Sequence, residues 1–374
     1  MNKYSFAILL CVCCLLLSCT GNNGIPAKYQ PLINAQLEKA GDNRAELERA
    51  LNETPRKQKE GIAFLIAYMP ESDLTTLKAD YLLKNVELAY TAREEFPWAK
   101  NIPDSLFLND VLPYANASET RDDWREDFYN RFSPYVKGCT TLEEAVRAIN
   151  ENAKAELGVE YNTARRRADQ SPTESLEIMI ASCTGLSIML TDAFRAVGIP
   201  SRLAGTIWHD GRGNHTWSEV WIDGEWFFTE YYFEDLNSAW FLADAGKATP
   251  GGGQTSIIAA SYKPSERNYR QAWNRRAGET AGYDVSQRYI DLYQTVMADK
   301  VAQGNHIPLR VKMYKNRKST SKSDDRVKVM VDIFQGADQL GGGSTAGETQ
   351  DMNDVLEFLV EKNKEYTLKY FPDG

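Results

Sequence analysis

Apolar residues recur at helical spacing through the first third of the chain. Leu47, Ala50 and Leu51 form one stripe. Leu74, Leu77, Tyr81 and Leu82 form another, behind Ser72, whose hydroxyl suits an N-cap. Residues 28 to about 138 therefore read as helical, with an irregular stretch from Pro97-Trp98 to Pro113 that holds three prolines and several aromatics. Thr140 and Glu143 have capping-box spacing ahead of Leu142, Ala145, Val146 and Ile149, which predicts an amphipathic helix there. A further helix is predicted after Cys183. Leu186, Met189, Leu190, Ala193, Phe194 and Val197 follow at helical intervals, and Gly198 and Pro200 stop them.

The period then drops to two. Segments 202–208, 216–222 and 226–232 are rich in aromatic and β-branched residues, as strands are. Asp223-Gly224 between the last two predicts a two-residue hairpin. Residues 246–255 read as a Gly-rich loop and 262–303 as helical again. In the tail Val327, Val329, Val331 and Ile333 alternate, as do Leu356, Phe358 and Val360, and Tyr366, Leu368 and Tyr370. With Gly341-Gly342-Gly343 read as a separating loop, residues 306–374 form a small β-sandwich-like module. Asp373-Gly374 is a turn signal directly after a strand, so a further strand is expected beyond it and the module reads as truncated.

Composition narrows the functional classes. The 374 residues are 43% hydrophobic and 25% charged, ordinary globular values that suit two or three domains. A net charge of −9 argues against nucleic acid or an anionic membrane surface as partner. The run Arg165-Arg166-Arg167 reads as a solvated face. At the N-terminus, Lys3 precedes an apolar stretch, residues 6–17, too short to span a bilayer. Leu16-Leu17-Ser18-Cys19 resembles a bacterial lipobox, which implies cleavage before Cys19 and a diacylglycerol on its thiol. Residues 1–18 are then a signal peptide and 19–27 a tether, and the mature protein is anchored without crossing the membrane. The periplasmic face of an outer membrane is what this likeness implies. Of the six cysteines, Cys139 and Cys183 remain as thiols. An exported compartment permits a bridge between them, although their contexts favour separate roles, with Cys139 a small structural residue ahead of a helix.

The chain has three histidines, His209, His215 and His306, and a cysteine nucleophile needs a base. At a helix N-terminus, partial positive charge favours the Cys183 thiolate and free N–H groups can hold an oxyanion. A buried core cysteine is the competing reading. If Asp223-Gly224 is the turn, Ile222 faces Glu225, Trp217 faces Glu230 and His215 faces Tyr232. His215, Trp217, Glu230 and Tyr232 then share one face. Glu230 is the diagonal neighbour of His215, roughly 7–8 Å away at Cα, and can hold the imidazole. Glu234 is the fallback acid if the strand continues. Trp217, Trp221, Trp226 and Phe228 read as core on the same face, Glu219 as structural and His306 as a surface residue. His209-Asp210 lacks the further ligands that a metal site with His215 would need.

Cys183-Thr184-Gly185, the run Phe194-Arg195-Ala196-Val197-Gly198-Ile199-Pro200-Ser201-Arg202, Gly205, His215-Thr216-Trp217-Ser218-Glu219-Val220 and Gly224-Glu225-Trp226 together resemble the transglutaminase-like superfamily. The likeness covers about residues 140–245. It implies an α+β papain-like fold, in which a helix carrying the cysteine packs on an antiparallel sheet, and acyl transfer through a thioester. By matching positions it implies Cys183 as nucleophile, His215 as base and Glu230 as third member. The family has Asp where Glu230 stands and often Gly where Ala181 stands. Its oxyanion-hole tryptophan has no clear counterpart, Trp98 and Trp124 being candidates. Residues 96–125 resemble a segment that precedes this domain in some bacterial members. The expected layout is a helical region at 28–138, a catalytic domain at 139–303 and the tail module at 306–374. The expected activity is cofactor-free, metal-free hydrolysis or acyl transfer at amides of a peptide or protein substrate, with cross-linking, deamidation and proteolysis all open. An inactive scaffold or binding lipoprotein is the alternative. The sequence says nothing of oligomeric state.

Overall fold

The computed structural model describes residues 24–208, 213–251, 253–270, 278, 280–316, 325–350 and 355–371. The signal-like segment with Cys19, His209-Asp210 and Asp373-Gly374 lie outside the described residues. Helices α1 (Gln30–Lys39), α2 (Arg44–Glu53), α3 (Lys59–Ala67), α4 (Ala79–Glu95) and α5 (Trp124–Val136) build the N-terminal region. Ile25, expected in a tether, already packs against their core. Ser72 is not an N-cap. Pro70 leads into a short helix, Glu71–Leu74, that contains Ser72, and α4 starts only after Lys78. Proline presets the backbone angle for that first turn, so the helix begins ahead of the hydroxyl.

Helix α6 (Leu142–Leu157) begins one residue later than the Thr140/Glu143 pattern predicts. Thr141 Oγ1 accepts from the Glu144 N–H at 3.2 Å, and the Glu144 carboxylate accepts from the Thr141 N–H at 3.2 Å and the Thr140 N–H at 2.8 Å. The box therefore closes on Thr141 and Glu144.

Helix α7 (Cys183–Ala196) is buried on nearly every side. Its apolar stripe, including Met189, Leu190, Ala193 and Phe194, joins the helical core. The opposite stripe is polar yet faces the sheet rather than water. Thr184 Oγ1 donates to Thr216 Oγ1, Ser187 Oγ donates to the Thr216 carbonyl, and Thr191 and Ser218 share a bond, each at 3.0 Å. An amphipathic pattern thus marks a helix clamped between two layers, because each buried hydroxyl finds a partner.

The sheet is antiparallel, in the order β3-β2-β1-β4-β6-β5, with β1 Ser201–Ile207, β2 Asn214–Ile222, β3 Glu225–Thr229, β4 Ile258–Ser261, β5 Arg267–Asn268 and β6 Ala281–Asp284. Of the helix expected over 262–303, the described residues show α8 (Ser286–Ala302). Residues 271–277 and 279 lie outside the described residues, while Arg267–Asn268 and Ala281–Asp284 form β5 and β6. Sheet pairing overrides local propensity there, and Gly282 permits it. A Cβ on Gly282 would stand 2.5 Å from Ile258 Cγ2 and 2.8 Å from the Ala259 carbonyl oxygen. Gly282→Ala is expected to lower stability by about 2 kcal/mol, since backbone cannot yield as a side-chain tip does. A denaturant melt checks this.

In the tail, β7 (His306–Val311) pairs with β10 (Leu356–Glu361), while β8 (Met330–Gln335) lies between β9 (Asp338–Ser344) and β11 (Thr367–Phe371). The two sheets enclose Val311, Val331, Ile333, Leu356, Phe358 and Val360. The Gly341-Gly342-Gly343 run is not a loop but part of β9, paired with Val331, Asp332 and Ile333. Leu368 and Tyr370, two of the alternating positions, are 38% and 55% exposed on the outer strand β11. Among the described residues no helix is long and apolar enough to cross a membrane.

Candidate active site

Ser182 caps α7 and sets Cys183 at its first position. The Ser182 hydroxyl accepts from the Gly185 N–H at 3.0 Å and donates to the Ala168 carbonyl. Ser182→Ala is expected to cost about 1 kcal/mol and to slow thiol alkylation, because the helix start that holds the thiol would fray. Thermal melting and labelling rate measure the two effects.

His215 enters from β2. The hairpin has the expected register, with Ile222 opposite Glu225 and Ser218 opposite Thr229. Asp223 and Gly224 take positive φ values of 47° and 113°, as a two-residue turn of this hand requires. Strand β3 ends at Thr229, and Glu230 follows immediately. Glu230 Oε1 lies 2.5 Å from His215 Nε2. Cys183 is the other group that acts on the ring. Tyr232 does not face His215 as the extended strand predicts. The chain has left the sheet, and the Tyr232 hydroxyl accepts from the Tyr161 N–H and donates to Glu160, each at 2.8 Å.

The electrostatics of the pair run in opposite directions. Burial alone would push the Cys183 thiol up, but the hydrogen bond and charge of His215, helped by the Thr216 N–H and the Thr184 hydroxyl, hold it below its ordinary value. Burial alone would push the His215 imidazole down, yet Cys183 and Glu230 carry it up to about 9. Each group stabilises the charged form of the other, which is the signature of a thiolate–imidazolium pair. Cys139 behaves differently. Burial first, and then the Glu144 charge, push its thiol up. Both thiols are free, so the Cys139–Cys183 bridge does not form.

These three side chains line a cavity of about 490 Å³. His215 sits in an aromatic box, with ring centroids 5.0 Å from Trp240, 5.1 Å from Phe241 and 5.8 Å from Trp217. Beneath it the Trp217 indole donates to the Tyr289 hydroxyl, which donates to Glu219, each at 2.6 Å. Arg202 and Arg288 also bridge Glu219, so this buried acid ties α8 to the sheet. Glu234 lines the same cavity, while the acid bonded to His215 is Glu230. Trp98 and Trp124 are committed elsewhere, donating to the carbonyls of Val197 at 3.3 Å and Tyr114 at 2.9 Å. Among the described residues no His, Cys, Asp or Glu cluster could hold a metal ion.

Sequence reasoning missed Trp208, Trp240 and Tyr161. Trp240 follows the hairpin in irregular chain, where no period marks it. Asn237, at φ 57°, exchanges backbone bonding with Phe228: its N–H donates to the Phe228 carbonyl and its side-chain oxygen accepts from the Phe228 N–H, each at 3.0 Å. That fold-back returns Trp240 and Phe241 to His215. An Asn with αL tolerance was the one available signal.

Residues 130–231 match the family described as the Transglutaminase-like superfamily. Among solved structures, a candidate cysteine protease from Cytophaga hutchinsonii is 15% identical, aligns over 51% of this chain and 66% of its own, and gives a TM-score of 0.28. Red sea bream transglutaminase is 9% identical over 72% of this chain and 58% of its own, with a TM-score of 0.31. The chain thus spans less than two thirds of the length of either structure. No curated protein matches.

Proposed function

With a transglutaminase-like core at residues 130–231 as the premise, we propose that this protein is a cysteine hydrolase or acyltransferase acting on peptide or glutamine-side-chain amides. The observation that carries the reading is the coupled pair itself, a depressed thiol against an imidazole raised to about 9, both lining an open cavity. The Cys183 thiolate attacks the amide carbonyl and forms a C–S bond. N–H groups in the first turn of α7 stabilise the oxyanion. Imidazolium at His215 gives its proton to the leaving amine as the C–N bond breaks, which leaves a thioester. Water or an amine then attacks, His215 takes its proton, and C–S cleavage restores the thiolate. Glu230 holds the ring and stabilises its charge.

Acid quenching of the protein with peptide amides, followed by mass spectrometry of the Cys183 peptide, tests this. An acyl adduct absent from Cys183→Ser is expected. Turnover that survives in Cys183→Ser would sink the proposal. For location, the lipobox-like Leu16-Leu17-Ser18-Cys19 supports anchoring through Cys19. Metabolic labelling with a fatty acid, lost in Cys19→Ala, is the expected result.

A further inference from the structure

We infer that this cavity selects substrates carrying a positive charge beside the scissile amide, an inference that rests on Cys183 being the nucleophile. Three aromatic residues on the cavity are open to solvent: Tyr161 is 51%, Tyr232 41% and Trp240 57% exposed. Large aromatic surface left in water around one recess marks a recognition surface. Aromatic faces attract cations through their quadrupole, Trp most strongly.

Charge points the same way. Among the described lining residues the formal charges besides the Cys183–His215 pair are two carboxylates, Glu230 and Glu234. Glu230 is spent on His215. Glu234 is exposed and has no ion-pair or hydrogen-bond partner among the described residues. The nearby base Lys154 does not line the cavity. Its Nζ lies over the Tyr232 ring at 4.8 Å and bridges Glu160 at 3.3 Å. The imidazolium offsets one of the three negative groups, the thiolate, Glu230 and Glu234, so the lining is net negative and Glu234 is the carboxylate that His215 does not hold. A cleft lined by one sign of charge raises the local concentration of the opposite ion. A substrate cation can therefore meet the Glu234 carboxylate and an aromatic face while its amide lies at Cys183. An anionic group there would meet repulsion.

Thiol reagents of three charges test this without a known substrate. Methanethiosulfonates bearing trimethylammonium-ethyl, methyl or sulfonatoethyl groups are reacted with the protein at low salt. The Cys183 thiolate forms an S–S bond and methanesulfinate leaves. Rates are read at the Cys183 peptide by mass spectrometry and normalised to each reagent's rate with 2-mercaptoethanol. The cationic reagent is expected to outpace the anionic one by roughly tenfold. Glu234→Gln is expected to shrink that ratio about threefold, and Trp240→Ala to slow the cationic reagent more than the neutral one. Salt near 0.5 M should collapse most of the ratio. A wild-type ratio of one, an anionic preference, or a ratio indifferent to Glu234→Gln overturns the inference. Modification of Cys183 by none of the three overturns the nucleophile assignment, and this inference with it.

Discussion

Replacing His215 with alanine is expected to slow iodoacetamide alkylation of Cys183 at pH 7 by about a hundredfold. In the native site His215 does most to hold the thiol below its ordinary value against burial, and its loss leaves the Thr216 N–H and the Thr184 hydroxyl to oppose that burial. A thiol returned to about its ordinary value of 9.0 is about 1% ionised at pH 7. The sign of the pH dependence follows from both groups. The ion pair exists from the depressed thiol value up to about 9, where the imidazolium loses its proton. Above that, the thiolate persists and alkylation stays fast, but no proton is available for a leaving amine. Amide turnover should therefore fall through about pH 9 while alkylation does not. Glu230→Gln removes one of the groups that raise His215, so the falling limb should move to lower pH. An alkylation rate that is indifferent to His215→Ala would overturn the pair.

Arg125→Ala is expected to destabilise the protein by about 4 kcal/mol, a melting shift of roughly 8–12 °C. The Arg125 guanidinium is 2% exposed and donates to Asn85 Oδ1 at 2.7 Å and to the carbonyls of Pro113 at 2.8 Å, Val111 at 3.0 Å, and Leu112 and Arg195 at 3.1 Å. It ties α4, the irregular chain before α5 and the end of α7 together. Truncation would strand several buried acceptors, each costly when left unpaired. Because Arg195 ends the helix that Cys183 begins, alkylation should also lose its rate advantage before global melting. Calorimetry with labelling at stepped temperature checks both. A shift below a few degrees would mean that water replaces the guanidinium.

How much of this was legible depended on how local each signal is. The hairpin is the clearest case. Two residues, Asp223 and Gly224, dictate a turn that few other pairs can form, and period-two alternation then places Glu230 on the His215 side. Helix α7 is similar, since its apolar positions from Leu186 to Val197 keep helical spacing and Gly198 and Pro200 stop them, while the Ser182 cap emerged only from the structure. The Thr140/Glu143 pair failed by one residue because Thr141, the adjacent hydroxyl, takes the cap, and Ser72 failed because the short helix there already starts behind Pro70. The segments that became β5 and β6 failed for a larger reason. Strand β6 exists through pairing with β4, whose edge lies elsewhere in sequence, and β5 through pairing with β6. The 341–343 glycines read as a loop because a sequence cannot show the strand β8 that pairs with them.

From its sequence alone the chain determined an α+β class and a cysteine at a helix start. It also determined the histidine–acid register across a hairpin, because backbone geometry over a few residues decides each of these. Only the tertiary structure decided that Tyr232 leaves the sheet, that Trp240 returns to His215, that Glu234 stands at the cavity mouth and that Arg125 ties the helices to α7. Those outcomes come from side chains tens of residues apart meeting in a packed interior. There the cost of an unpaired buried group or an unfilled space outweighs any local preference.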